Sequence, residues 1–260
     1  MRNLIPILLA VVVLSSGCDP DGYSCNSEGC YAENNAQYLT LEDCLSVCDE
    51  VDPNPVSCGI FFHEGYNYST VQIGEQCWFS ENCRYLPEVS PSSVDSDTAP
   101  YYYVHGYEGT DVEEAKATAN YETYGVLYNW RAVLTDEICP SGWHVPSDEE
   151  WQTMLMSLGM SEAEVSSGEL TIGTDEGYQM KSTSGWNDGG NGSNSSGFNG
   201  LPGGSREFVG FFHLENSGAW WSASESNSLS WHYRLWAPSD HVTRFLTNRN
   251  YGFSARCVRD

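Results

Sequence analysis

A tight turn passes directly into a helix start in the stretch Cys139-Pro140-Ser141-Gly142-Trp143-His144-Val145-Pro146-Ser147-Asp148-Glu149-Glu150-Trp151. Ser147 and Glu150 have the spacing of a capping box, in which each side chain accepts a hydrogen bond from the backbone of the other residue. Pro146 prevents an earlier start. We therefore predict a helix that begins near Asp148.

The predicted helix has one apolar face. Trp151, Met154, Leu155 and Leu158 recur at helical spacing, and Gly159 is placed to end the helix. Such a face has to be buried, and we expect it to pack against a sheet.

The segments around this helix favour a mixed α+β fold with a largely antiparallel sheet. Residues 59–79 predict a β-hairpin followed by a third short strand. Further strands are predicted at residues 210–214, 219–223, 231–235, 242–245 and 252–258, and short helices after Thr110 and near residues 161–165. Residues 87–111 lack periodicity, and residues 185–204 are too rich in Gly, Asn and Ser for regular structure.

The N-terminus has the pattern of an export signal. Arg2 precedes an apolar run that is too short to span a membrane, and Ser15, Ser16 and Gly17 precede Cys18. Small residues before a cysteine resemble a bacterial lipobox, so we expect cleavage before Cys18 and a lipid anchor on it. The alternative is ordinary signal cleavage, with Cys18 free or paired. Either way the protein is expected to be exported, as an outer-membrane or cell-surface lipoprotein or an extracellular protein.

The sequence divides into a signal peptide at 1–17, a small Cys-rich module at 18–50, a proline-containing linker at 51–57 and a larger domain at 58–260. The small module contains Cys25, Cys30, Cys44 and Cys48. Since Cys44 and Cys48 are predicted one helical turn apart, each should pair with Cys25 or Cys30. We prefer Cys25 with Cys44 and Cys30 with Cys48; the converse pairing and a zinc site are alternatives.

Charge and cysteine content restrict the function further. A formal net charge of −25 repels nucleic acid and anionic headgroups. Ten cysteines behind an export signal indicate disulfides. Cys58 and Cys77 flank the first hairpin and are expected to join.

Several motifs occur in a fixed order: GVLYNW from Gly125, the CPSGWHVPSDEEW stretch, GLPGG from Gly200, Trp220-Trp221-Ser222 and the closing GFSARCVRD. Together with YSTVQIG from Tyr68, they closely resemble the Fibrobacter succinogenes major paralogous domain family over about residues 58–260. The family implies a surface location but no activity. A remoter resemblance to C-type lectin-like domains implies the fold, in which Cys139 would pair with Cys257. Cys83 departs from the family pattern, where leucine is usual, and is left either as a buried thiol or as a competitor for Cys77.

Two groups of side chains are candidates for ligand binding. Trp186-Asn187-Asp188 opens the long loop, and its oxygens, with those of Asn191 and Asn194, are hard donors suited to calcium. The alternative is an Asx-turn loop that satisfies its own backbone. Among the aromatic residues of the later strands, Trp236 and Tyr233 are candidates for an exposed platform, whereas Trp143, Trp151 and Trp220 are expected in the core.

No catalytic motif is present in the sequence, and we do not expect an enzyme. HExxH, GxSxG and phosphate-loop patterns are absent. Nothing selects a carboxylate pair for glycoside hydrolysis, and Cys83 is a weak nucleophile candidate. The favoured hypothesis is a surface module that binds a glycan or a surface protein. The alternative is a structural component that self-assembles without a small ligand.

Overall fold

The computed structural model describes residues 22–26, 29–33 and 58–260. The chain divides into two units between residues 57 and 58. In the described part, every helix is too short or too polar to cross a membrane.

The first unit contains one described hairpin. Strands β1 (Gly22–Asn26) and β2 (Gly29–Glu33) are antiparallel, and Cys25 lies opposite Cys30 in the register. The predicted signal peptide, the lipidation of Cys18, the linker and the bridges to Cys44 and Cys48 lie outside the described residues.

The second unit has two main sheets, and the smaller one is antiparallel. It consists of β3 (Ile60–His63), β4 (Tyr66–Ile73), β5 (Gln76–Phe79), β8 (Trp143–His144) and β15 (Val258–Arg259), in the order β3-β4-β5-β15-β8. The predicted hairpin and third strand are confirmed. Val258 pairs with both Trp78 and His144, so β15 joins β5 to β8, the short strand that precedes the main helix.

The larger sheet has six strands in the order β11-β10-β12-β13-β14-β9. Their bounds are β9 Thr171–Ile172, β10 Gly203–Glu207, β11 Gly210–Leu214, β12 Ser217–Ser226, β13 Leu229–Trp236 and β14 Val242–Asn248. All neighbouring strands are antiparallel except β10 and β12, which are parallel. A third pair is formed by β6 (Tyr102–Tyr103) and β7 (Leu127–Tyr128).

Six helices are described: α1 Val112–Lys116, α2 Ala119–Tyr124, α3 Trp130–Val133, α4 Asp148–Leu158, α5 Glu162–Val165 and α6 Glu176–Met180. The architecture is therefore mixed α+β, as predicted. Helix α1 is capped by Asp111, one residue later than the predicted start at Thr110. Helix α4 has the predicted capping box between Ser147 and Glu150 and ends at Gly159.

Helix α4 lies between the two main sheets. Trp151 is fully buried and stacks on Tyr233 of β13, with ring centroids 4.6 Å apart. Its ring also contacts Trp78 of β5 edge to face at 5.0 Å. The apolar face of the helix thus contacts both sheets, and Trp151 lies at the centre of the main core.

The prediction of a strand at residues 252–258 is wrong for most of this segment. Only Val258–Arg259 forms a strand. Gly252, Phe253 and Ser254 instead make isolated bridges to Arg206, Tyr128 and Trp220, respectively. The segment passes between separate pairs of strands, so it cannot keep one register with a single neighbour.

The structure has two disulfides in this unit. Cys58 is bonded to Cys77, and Cys139 is bonded to Cys257. Cys83 is a free, buried cysteine. The second bridge links the segment before α4 to the segment before β15.

Candidate functional site

The Gly- and Asn-rich loop is held on its inner side by Arg256. The guanidinium of Arg256 is fully buried and donates to the backbone oxygens of Phe198 and Asn199 and to Oδ1 of Asn82. It also lies 4.0 Å from the centroid of the Phe198 ring. Burial lowers the pKa of Arg256 to about 9. Carbonyl groups and an aromatic face therefore compensate a buried cation and fix the loop.

Lys181 fixes the turn after β13 in a similar way. Its side chain is 1% exposed, and Nζ donates to the backbone oxygens of Trp236, Ala237 and Ser239 at 3.4, 3.3 and 3.0 Å. Burial lowers the pKa of Lys181, although Asp240 lies 3.7 Å away. The backbone around Trp236 is thus held by three hydrogen bonds from one buried cation.

The Trp236 ring itself is partly buried and held on two sides. The guanidinium of Arg234 lies 5.1 Å from its centroid, and the exposed ring of His213 meets it edge to face at 5.2 Å. Arg234 in turn forms an ion pair with Glu207, with 2.5 Å between Nη2 and Oε1. Burial raises the pKa of the Glu207 carboxyl, but Arg234 outweighs it and lowers the pKa below its usual value. The ring is rigidly oriented while part of it faces solvent.

The turn that carries Asn187 and Asp188 packs against Glu215 and against Ala237, the residue after Trp236. It is a short 3₁₀ turn, Asn187–Gly189, and the backbone N–H of Asn187 donates to the oxygen of Glu215 at 2.8 Å. A Cβ on Gly190 would lie 2.3 Å from the oxygen of Ala237, so only glycine allows this close approach. The structure therefore brings two sequence candidates, the Asn187 turn and Trp236, to one surface. We call Trp236, His213, Asn187, Asp188 and Glu215 the Trp236 surface.

Asn191 and Asn194 are placed differently. Oδ1 of Asn191 accepts from the backbone N–H of Trp186 at 3.0 Å, and Oδ1 of Asn194 accepts from that of Asn199 at 2.7 Å. Both bonds span five residues, so they are not Asx turns, but they stabilise the loop itself. Calcium needs six to eight oxygens, whereas Asp188 is the single carboxylate among the four predicted ligands. These residues do not fit a calcium site.

Tyr233 is not a surface residue, contrary to the sequence prediction. Its side chain is 1% exposed, and its hydroxyl donates to Oδ1 of Asp148 at 2.8 Å. Its ring faces Trp151, because helix α4 covers this face of β13. The expected burial of Trp143, Trp151 and Trp220 is confirmed.

Two open cavities lie away from the Trp236 surface. One, of about 540 Å³, is lined by Trp143, His144, Cys139 and residues 133–136 among others. His144 bridges two carboxylates there, with Nδ1 2.6 Å from Asp260 and Nε2 2.7 Å from Glu150. Burial lowers the pKa of His144, but these hydrogen bonds outweigh it and raise the pKa above its usual value.

The other cavity, of about 480 Å³, is lined by polar residues and is here called the polar cavity. It is lined by Asp95, Ser96, Asp97, Ser228, Asn248, Arg249 and Asn250. The buried guanidinium of Arg206 and the side-chain amide of Asn250 both donate to Oδ2 of Asp95, at 3.2 and 2.9 Å. These bonds fix the wall of the cavity that Asp95 forms. This cavity could accept a small hydroxylated ligand, although it has no aromatic platform.

The family model of the Fibrobacter succinogenes major domain matches residues 71–259. The chain belongs to this family. The match includes both cavities, the Trp236 surface and all residues of helix α4. Membership suggests a domain of a surface or secreted protein and assigns no activity. No similar protein was found among curated proteins or solved structures.

Sequence analysis of this Fibrobacter succinogenes major domain missed Lys181, Arg256 and His213. A lone lysine or arginine in a sequence carries no sign that it will be buried. The only available signal was the density of Gly and Asn in the loop, because a loop with few apolar side chains has to be held largely through its backbone.

Proposed function

We propose that this Fibrobacter succinogenes major domain is a binding module that recognises a glycan through the Trp236 surface. The observation that carries the proposal is the partly exposed Trp236 ring, which is held by Arg234 and His213, while the Asn187 turn packs against the next residue, Ala237. We further propose that the protein is exported and lipid-anchored at Cys18 and that the domain is C-type lectin-like.

Physical chemistry supports this ligand class. An indole ring offers a flat apolar face for the C–H groups of a sugar ring. The amide of Asn187 and the carboxylate of Asp188 can hydrogen-bond hydroxyl groups at the edge of that face. Because Lys181 and Arg234 already fix Trp236, little side-chain entropy would be lost on binding. The disulfide between Cys139 and Cys257 supports the lectin-like fold by analogy only.

Binding rather than catalysis is proposed because the Trp236 surface is open and both cavities lie elsewhere. Its five residues include no hydroxyl or thiol nucleophile. Calcium is not part of the proposal, since Asn191 and Asn194 use their side-chain oxygens within the loop.

The test is a glycan array probed with the full-length chain, disulfides intact, with calcium and with chelator. We expect chelator-insensitive binding that weakens about two- to tenfold in Trp236→Ala, as a lost aromatic contact is worth about 0.5–1.5 kcal/mol. The control is Phe208→Ala, which removes an exposed aromatic ring from the turn between β10 and β11. Loss of binding in Asp97→Ala with Asn248→Ala instead would move the site to the polar cavity. Absence of any glycan binding would contradict the proposal and favour a surface protein as the ligand.

A structural role in the cell envelope is the second candidate. It is favoured by the turn between β10 and β11, where Phe208 and Val209 are 65% and 72% exposed. The neighbouring β11 is an edge strand of the six-stranded sheet. If this surface mediates assembly, Phe208→Ser with Val209→Ser should abolish oligomers seen by sedimentation or cross-linking at the cell surface. A strictly monomeric, partnerless wild-type protein would exclude this role.

A further inference from the structure

We propose that Cys83 is an alternative disulfide partner of Cys257, so that an internal exchange can release Cys139 as a thiol. Sγ of Cys83 lies 3.5 Å from Sγ of Cys257, which is bonded to Cys139. All three sulfurs lie within 4.8 Å of one another, and all three residues are buried. Among the described residues, this is the one cluster of three such side chains.

The backbone holds Cys83 next to the segment that carries Cys257. The N–H of Cys83 donates to the oxygen of Ala255, and the N–H of Phe79 donates to the oxygen of Cys257, both at 2.9 Å. The carbonyl of Cys83 accepts from Val126. Cys83 and Cys257 are therefore fixed by ladder-type bonds in the interior, independently of Cys139.

Cys139 lies in a more exposed segment. Residues 134, 136, 137, 141 and 142 around it are exposed, and Cys139 lines the 540 Å³ cavity. Ile138 and Cys139 themselves are buried, so release of the Cys139 thiol needs a local opening of this segment once the bond to Cys257 is broken. It would then present a thiol at the cavity.

The exchange is balanced without an external oxidant or reductant. The Cys83 thiolate attacks Sγ of Cys257, a bond between Cys83 and Cys257 forms, and the bond between Cys139 and Cys257 breaks. Cys139 leaves as a thiolate and takes up the proton that Cys83 lost. The two isomers close loops of similar length, with sequence separations of 118 for Cys139–Cys257 and 174 for Cys83–Cys257. Because loop entropy depends on the logarithm of length, neither isomer is strongly favoured by it.

Two features keep the resting protein in the observed form. Burial raises the pKa of Cys83 to about 12, although the guanidinium groups of Arg256 and Arg84 lower it in part; the phenols of Tyr68 and Tyr128 also face this thiol. In-line attack needs Sγ of Cys83 and Sγ of Cys139 on opposite sides of Sγ of Cys257, which would put these two atoms more than 4.8 Å apart. They lie closer than that in the structure, so a side chain has to rotate first. The exchange is therefore slow, and it should accelerate about tenfold per pH unit below the pKa of Cys83, as the thiolate fraction rises.

The experiment uses the oxidised full-length chain, incubated at pH 7, 8 and 9 without added thiol. Free thiols are alkylated without denaturation, and the peptides are mapped by mass spectrometry under non-reducing conditions. We expect a Cys83–Cys257 peptide to appear together with alkylated Cys139, and its rate of formation to rise about tenfold per pH unit. In the control Cys83→Ala, Cys139 should stay bonded to Cys257 and remain unlabelled.

A second variant, Cys139→Ser, leaves Cys83 and Cys257 without a competitor. Mild oxidation of the folded variant should join them. The proposal is overturned if both remain free thiols in the folded variant, or if Cys139 of the wild type is never released at any pH. If the variant does not fold, the wild-type peptide map decides alone.

Discussion

Asp148 and Arg244 form a buried ion pair that ties the first residue of helix α4 to strand β14. Nε of Arg244 lies 2.9 Å from Oδ1 and Nη2 lies 2.5 Å from Oδ2, so the guanidinium binds both carboxylate oxygens. The side chains are 11% and 9% exposed. Since α4 lies between the two sheets, this pair fixes its position relative to the larger one.

We predict that Asp148→Ala destabilises the protein by about 3–5 kcal/mol, because it leaves Arg244 buried without its partner. The measurement is urea-induced unfolding with the disulfides intact. Glu149→Ala is the matched control, since Glu149 is exposed in the same helical turn; it should change the free energy of unfolding by less than about 0.5 kcal/mol. Equal effects of the two substitutions would contradict a special role for the pair.

Arg256→Met should loosen the long loop before the rest of the domain unfolds. The substitution removes donors to the backbone oxygens of Phe198 and Asn199, which then lack partners. Each unsatisfied buried acceptor costs about 1–3 kcal/mol. We expect protease cleavage within residues 187–199 at concentrations that leave the wild type intact, with Arg259→Met, an exposed position of β15, as the control. Cleavage elsewhere first would show that Arg256 stabilises the whole domain instead.

His144 should contribute stability at low pH that is lost at high pH. Burial lowers its pKa, but Asp260 and Glu150 outweigh this and raise it. A raised pKa means that the stabilisation is fully present below the unfolded value of about 6.5 and disappears as the pH rises through the folded value. The difference in unfolding free energy between wild type and His144→Gln should shrink over that window. In Asp260→Asn the folded pKa of His144 should fall, so the loss of stabilisation should occur at lower pH. If the stability difference between wild type and His144→Gln does not vary with pH, the prediction is wrong.

His232 should have the opposite effect. Its ring is fully buried against Phe245 and Phe253, at 4.2 and 4.5 Å, and neither ring nitrogen has a hydrogen-bond partner in the described part of the chain. Burial, aided by the charge of Arg234, lowers the pKa of His232 well below its usual value. The unfolded chain therefore binds a proton that the folded protein does not.

Stability should consequently fall as the pH drops below about 6.5, by up to about 1.4 kcal/mol per unit from this residue. His232→Phe should remove that part of the slope and leave a folded protein at pH 8. The check is a pair of unfolding series from pH 8 to pH 5. An unchanged slope in the variant would contradict the prediction.

Short-range patterns predicted a large part of this fold. The capping box of Ser147 and Glu150, the end of α4 at Gly159 and the first hairpin each depend on residues close in sequence. Tyr233 shows where such patterns fail. Alternation along a strand separates two faces, but it does not tell which face another element will cover, and α4 covers the face of Tyr233.

The sequence by itself determined the family, the mixed α+β class, the main helix and the irregular loop, because motif order, periodicity and turn residues act over short distances. Only the tertiary structure decided that Arg256 and Lys181 are buried and hold the loop, that Trp236 and the Asn187 turn share a surface, and that Cys83 contacts Cys257. These relationships join segments far apart in the chain. They arise because buried charges and backbone groups have to find partners in whichever segments the packed core brings next to them.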